Sequence, residues 1–170
     1  MVSAREYPFI IEHDPRLINM IPEKHRTYEM CLIAVQGGAE LRHIPEKHRT
    51  YKMCLIAVEK GRRNLEYVPD KHKTYNLCLI AVQNGNFLEH VPDKHRTYKI
   101  CNKAVENNKR NLSDVPDKHK TYKMCLEAVK EWGTLIKDVP KKHRTYKLRL
   151  EAIKKNPKFY YISSRKRKNI

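Results

Sequence analysis

The chain has no long uncharged apolar run, so no stretch of it suits a membrane-crossing helix. It has no C-x-x-C pair, which removes the ligand spacing of a structural zinc site. Outside the repeats described below it has no Gly-rich phosphate loop, no unique pair of carboxylates, and no nucleophile with an attendant base. An enzyme is therefore not expected, nor a cofactor or a metal. The first residues, MVSAREYPFIIEHDP, carry an arginine, a glutamate and a proline where a secretory signal needs unbroken apolar sequence. The sequence thus reads as that of an intracellular protein.

What the chain does have is one phrase, many times. IPEKHRTYKMCLIAV at 44–58 recurs in close copy at 21–35, 68–82, 91–105, 115–129 and 139–153. In each copy proline is followed by an acid (Lys141 in the last), then Lys, His, Arg or Lys, Thr and Tyr. From an opening apolar residue (Ile18, Leu41, Leu65, Leu88, Leu112, Ile136) to a closing one (Val35, Val58, Val82, Val105, Val129, Ile153) is always 17 residues. From closing to next opening it is six or seven. Fixed spacing marks packed structure, and the variable stretch, holding Gly37, Gly38, Gly61, Gly85, Asn107, Asn108 and Gly133, marks a surface loop.

Within the phrase Thr50 suits a helix N-cap, and Tyr51, Cys54, Leu55 and Val58 follow at i, i+3, i+4 and i+7, one helical face. The glycines and asparagines beyond the closing valine are candidates for a left-handed residue that ends the helix. Upstream, Leu65, Val68 and His72 fit a shorter helix that Pro69 bends or restarts. Helices this short are marginal alone, so each unit must bury its faces on its neighbours. The expected fold is an all-α solenoid of six short-helix/long-helix repeats: an N-terminal cap over 1–14, repeats over about 15–156 as a single domain, and an aromatic then basic tail over 157–170.

The VPDKH or IPEKH segment, the TYKMCLIAV helix and the Asn-Gly of AVQNG resemble a repeat family of unknown function, abundant in giant DNA viruses of amoebae and found in some intracellular bacteria. The likeness covers roughly residues 12–156. It implies a helical-repeat fold, a viral origin and a place in host cytoplasm or viral factory, with the nucleus open; it brings no catalytic residues. The basic second half departs from the usual pattern.

Six equivalent histidines (His25, His48, His72, His95, His119, His143) cannot all be one catalytic constellation. They are expected half-buried and hydrogen-bonded between units, with ligand contact as the alternative. Cys31, Cys54, Cys78, Cys101 and Cys125 share a slot, filled by Arg149 in the last repeat, and read as small buried thiols. Tyr28, Tyr51, Tyr75, Tyr98, Tyr122 and Tyr146 read as core residues with a hydroxyl reaching a neighbouring turn; a stacking platform for bases is the alternative.

Charge supplies the functional expectation. Residues 91–170 hold 23 Lys/Arg against 8 Asp/Glu, a net +15, whereas residues 1–90 hold 13 against 11, a net +2. Two cationic rows, Lys24, Lys47, Lys71, Lys94, Lys118, Lys142 and Arg26, Arg49, Lys73, Arg96, Lys120, Arg144, can meet phosphates without reading bases, unless the preceding acids neutralise them. The candidate nucleic-acid contacts, to RNA or DNA, are Lys94, Arg96, Lys118, Lys120, Lys141, Lys142, Arg144 and Lys147, with the tail cluster Arg165, Lys166, Arg167 and Lys168. Ile33, Ile56 and Ile80 lie about 140° round the longer helix from the tyrosines, where later repeats have Lys103, Glu127 and Glu151. They are the candidate protein-docking strip, unless the fold covers them. Asn102 interrupts the slot of Leu32, Leu55, Leu79, Leu126 and Leu150, as a weak packing point or a polar contact. A protein adaptor or scaffold with no nucleic-acid role is the rival reading.

Overall fold

Each repeat turns on a threonine. Thr27, Thr50, Thr74, Thr97, Thr121 and Thr145 hold extended backbone, and each hydroxyl oxygen accepts the backbone N–H three residues on, at 3.2–3.5 Å. That satisfies one orphan donor of a helix start and fixes where the helix begins. In this computed structural model, which describes residues 4–61 and 63–158, α1 (Tyr7–His13) precedes six such capped helices: α2 (Tyr28–Gln36), α3 (Tyr51–Lys60), α4 (Tyr75–Gln83), α5 (Tyr98–Asn107), α6 (Tyr122–Glu131) and α7 (Tyr146–Lys155). The regular structure of the described residues is all helical, with no strand, in the repeated short/long pattern of an α-solenoid.

The shorter element is two 3-10 turns and not one α-helix. In the third repeat Asn64–Tyr67 forms the first turn and Asp70–His72 the second. Between them Val68 and Pro69 are extended, because proline has no N–H to donate and forces the residue before it out of the helical region. The 117–119 stretch of the fifth repeat forms a hydrogen-bonded turn at the equivalent place.

The helix ends explain the variable spacing. Gly38 (φ 93°) and Gly85 (φ 84°) are left-handed, and they close α2 and α4, the nine-residue helices followed by the six-residue spacing. There the Ala39 N–H reaches Ala34 O and the Asn86 N–H reaches Ala81 O, both at 2.9 Å, wrapping the chain back over the last turn. The ten-residue helices α3, α5, α6 and α7 end differently. An extended residue (Gly61, Asn108, Trp132, Asn156) donates to the carbonyl of Ala57, Ala104, Ala128 or Ala152. So the left-handed residue expected after every helix occurs after two, and Gly61, Asn107, Asn108 and Gly133 do not supply one.

The buried face also sits differently from the template that starts at tyrosine. In α3 the buried residues are Met53, Cys54, Ala57 and Val58, while Leu55 is half-buried and Tyr51 is exposed. Met30, Leu77, Ile100, Met124 and Leu148 fill the same core position as Met53. Enclosing such a side chain is worth roughly 1.5–3 kcal/mol, and alanine at the 57 position lets the neighbouring backbone approach. In α7 the cysteine slot holds an exposed Arg149, Tyr146 is 78% exposed and Leu150 37%. The aromatic segment expected to cover this last face lies outside the described residues.

Buried asparagines tie repeats together. Asn64 Oδ1 accepts the Leu41 N–H (2.8 Å) while its Nδ2 donates to Ala57 O (2.7 Å). Asn86 repeats this with the Leu65 N–H (3.2 Å) and Ala81 O (2.8 Å). Asn111 donates to Ala104 O (2.9 Å). Each is at most 3% exposed. Asn102, by contrast, bonds Glu106 Oε1 across one turn of its own helix (2.7 Å), so the break in the leucine slot is a polar contact.

The chain gathers into two compact units, Met1–His95 and Arg96–Ile170. In the first, α1 packs on Pro15–Met20 and on α2, and α2, α3 and α4 pack in series. In the second, α5 packs on Lys109–Asp114 and on α6, and α6 on α7 and Gly133–Asp138.

Asn64→Ala strands a buried amide and a buried carbonyl, so it should lower the unfolding free energy by about 2 kcal/mol. Asn102→Ala should change it by less than ~0.5 kcal/mol. Urea unfolding followed by far-ultraviolet circular dichroism separates the two.

Candidate nucleic-acid interface

The two cationic rows of the turns point to different places. Proline leaves the carbonyls around it without helical donors, and the basic side chain four residues on supplies them. Arg26 donates to Ile21 O (2.8 Å) and to His43 O of the following repeat (2.7 Å). Arg49 does the same to Ile44 O (2.8 Å) and Tyr67 O (3.0 Å). Arg96 reaches Asp114 O (3.3 Å), Lys120 reaches Asp138 O (2.8 Å), and Arg144 holds Val139 O (2.7 Å) and Lys137 O (3.0 Å). A planar guanidinium with several fixed donors can clamp two carbonyls at once. Where lysine stands in this row an aspartate three residues earlier completes its coordination, as in Asp70–Lys73 and Asp117–Lys120, both 3.1 Å.

The predicted nucleic-acid set is thereby divided. Arg96, Lys120 and Arg144 are committed to backbone carbonyls, and Lys120 is only 7% exposed. A sequence reading of two surface rows is corrected to one, since residues two apart on a tight turn face opposite ways. Lys118, Lys141, Lys142 and Lys147 are exposed on the second unit, and Lys94 is exposed on the first. Asp117, the acid beside Lys118, is turned toward Lys120, and the acid slot beside Lys142 holds Lys141. These lysines thus keep their charge for solvent or for a partner. The Arg165 to Lys168 cluster lies outside the described residues.

The tyrosines lie at the rim and not in the core. Four of them reach the histidine of the next turn: Tyr28 to His48 and Tyr75 to His95 at 6.4 Å between ring centres, Tyr51 to His72 at 6.3 Å, Tyr122 to His143 at 6.4 Å, mostly edge-on. The Tyr122 hydroxyl is 3.4 Å from Thr145 Oγ1. All six histidines are half-buried, and His143 Nε2 lies 2.9 Å from Lys120 O, a hydrogen bond between turns. An edge-on aromatic contact of this kind adds roughly 0.5–1.5 kcal/mol beyond area.

The cysteines are buried and free, and burial pushes each thiol up to about 11. At neutral pH they are neutral packing groups with almost no thiolate. His43, outside the repeated slot, accepts from Arg42 Nε (3.1 Å), and burial first and that neighbouring charge second lower its proton affinity. Among the described residues no three His, Cys, Asp or Glu side chains gather into a group able to hold a metal.

Ile33, Ile56 and Ile80 are half-buried, as are Leu32, Leu55 and Leu79 beside them. The strip is therefore partly covered. In the second unit the same positions carry Lys103, paired with Glu106 at 3.5 Å, and Glu151, paired with Lys154 at 2.9 Å. The hydrogen bond from Lys154 holds the Glu151 carboxyl below its ordinary range. One feature escaped the sequence reading: the Arg110 guanidinium lies 4.3 Å from the ring centre of Trp132, the single tryptophan, which is 42% exposed. Its signal was the uniqueness of the residue, in a loop slot where other repeats have small or polar ones.

No protein-family model, curated protein or solved structure matches the chain. The geometry alone carries the functional reading.

Arg144→Gln should destabilise the second unit by about 1–3 kcal/mol, since it strands two carbonyls, while Lys142→Gln should leave it within ~0.5 kcal/mol; Trp132 fluorescence in urea reads both. In native protein at pH 8 a thiol held near 11 is about 0.1% thiolate, so Ellman's reagent should label the five cysteines far more slowly than in guanidinium, where all should react at once.

Proposed function

We propose that the protein is a non-enzymatic helical-repeat binding protein, with a virus as its source, whose second unit holds RNA or DNA by its phosphates. The observation that carries this reading is the set of exposed lysines on that unit, Lys118, Lys141, Lys142 and Lys147; the acid beside Lys118 is drawn onto Lys120, and the acid slot beside Lys142 holds Lys141. Charge of one sign left open on a rigid surface is the footprint of a phosphate-binding face. Lys118 and Lys142 belong to a slot that is lysine in every repeat, so they hold a backbone and do not read a sequence. The basic tail at 165–168 would extend the same contact. Among the described residues no helix is long and apolar enough to cross a membrane, and an intracellular setting, in cytoplasm, viral factory or nucleus, goes with this partner.

A second reading has an observation of its own. On the first unit six large aliphatic side chains, Leu32, Ile33, Leu55, Ile56, Leu79 and Ile80, stay half-exposed in equivalent pairs on successive helices. Such a strip suits a protein partner, in which case the molecule is an adaptor or scaffold and its charge serves solubility.

The triple variant Lys118→Gln, Lys141→Gln, Lys142→Gln should keep its circular dichroism spectrum and lose affinity for a labelled 20-nucleotide RNA. The slope of log affinity against log salt should fall by about 2, at roughly 0.7 per lost contact on a single strand. An unchanged slope would reject the phosphate mechanism. Ile33→Asp with Ile56→Asp and Ile80→Asp should leave RNA binding intact; loss of a co-purifying protein instead, with RNA binding absent in the parent, favours the adaptor.

A further inference from the structure

The first unit carries an open cleft of about 470 Å³ between the Glu23–His25 turn and the Glu46–His48 turn. Ala4 and Pro8, at the entry to α1, close one side of it. Its lining includes Lys24, Lys47, Arg26, His25 and His48, together with Thr27, Tyr28 and Met30, and it includes no carboxylate. That is notable in a half of the chain whose net charge is only +2. Glu23 and Glu46 adjoin the two lysines in sequence, yet neither lines the cleft, and both are exposed.

We infer that this cleft is a discrete binding site for a phosphate monoester. The Arg26 guanidinium is engaged by Ile21 O and His43 O, so it acts as a fixed positive wall. Lys24 and Lys47 are exposed and supply two mobile ammonium groups, matching the two charges of a monoester phosphate. His25 and His48 each pack beside a tyrosine ring, Tyr7 (5.7 Å between ring centres) and Tyr28 (6.4 Å), which restricts their motion before any ligand arrives. Helix α2 starts at the cleft, with Thr27 and Tyr28 in its wall, and the positive end of its dipole adds to the same field. The cap makes this junction different from a plain repeat junction, because α1 replaces a full repeat on one side and brings proline and alanine where a turn would bring more charge. The site is independent of the nucleic-acid reading, which concerns the second unit.

The test is a titration of the full chain with inorganic phosphate and, separately, with adenosine 5′-monophosphate and adenosine. Calorimetry measures affinity, and amide chemical shifts locate the contact. Both phosphate-bearing probes should saturate at one equivalent and move the Thr27 and Tyr28 amides, while adenosine should do neither. Comparable affinity for the two probes means the phosphate alone is held; tighter monophosphate binding means the cleft also grips the ester's organic part. Lys24→Gln with Lys47→Gln should weaken both by tenfold or more, Lys24→Arg with Lys47→Arg should retain binding, and Lys118→Gln with Lys142→Gln should change nothing. Both lysine pairs are exposed, so the fold survives the changes, and circular dichroism verifies that. Undiminished affinity in the Lys24/Lys47 glutamine variant, or shifts spread over all the turns without saturation, would overturn the assignment.

Discussion

Each repeat of this chain interrupts its backbone hydrogen bonding at a proline, and in five of the six the basic side chain four residues on, Arg26, Arg49, Arg96, Lys120 or Arg144, donates to backbone carbonyls. The bonds from Arg26, Arg49 and Arg144 to Ile21, Ile44 and Val139 close the turn on itself, while those to His43 and Tyr67 reach into the next repeat. A carbonyl left unpaired in a half-buried turn would forfeit about 1–3 kcal/mol, so each such cation holds the register of two units at once. The threonine cap then starts the next long helix one residue later, and the buried asparagines tie the far end of that helix to the following repeat. Within each unit proline, cation and threonine recur as one pattern of polar satisfaction, joined by the buried asparagines Asn64, Asn86 and Asn111. The apolar face fills in behind it.

This accounts for the repetition better than any shared chemistry would. A catalytic or metal site needs unlike groups converging once. Here equivalent groups meet in series, as Tyr28 meets His48 and Tyr51 meets His72, each contact joining one turn to the next. The thiols show the same logic. Burial raises them to about 11, which makes them poor nucleophiles and good small fillers under a helix.

How much of this was legible in the sequence depends on what fixes each feature. The period, the threonine caps and the proline break were readable because each follows from local stereochemistry. The buried face was not, because Tyr51, Cys54, Leu55, Val58 and Met53, Cys54, Ala57, Val58 both make an apolar stripe, and only packing against the next repeat decides between them. The inward row was missed for a similar reason, since spacing cannot say which of two cations on a tight turn faces the backbone. A chemical hint was present all the same: the outward slot is lysine in every copy, whereas the inward one is arginine in four of six and is lysine only where aspartate, and not glutamate, stands three residues before. Arginine recurring beside an unvarying lysine is what a two-carbonyl clamp requires. The asparagines Asn64 and Asn111, each just before an opening leucine, carried a comparable hint that a search for helical faces passes over.

Because the inward cations are satisfied by carbonyls, the outer surface is free to change without disturbing the frame. The isoleucine positions of the first unit become Lys103, Glu127 and Glu151 in the second, and an acid slot becomes Lys141, while cap, clamp and core slots persist. A fold stabilised by surface ion pairs could not tolerate such drift, since each exchange would break a pair. Here drift leaves the frame intact and alters only what the surface attracts, so a nearly neutral first half and a strongly basic second half coexist on one repeat. The concentration of charge in one unit has a physical cost in self-repulsion. Part of that cost is offset because Asp117 pairs with Lys120, and the carbonyls of Lys137, Asp138 and Val139 engage Lys120 and Arg144.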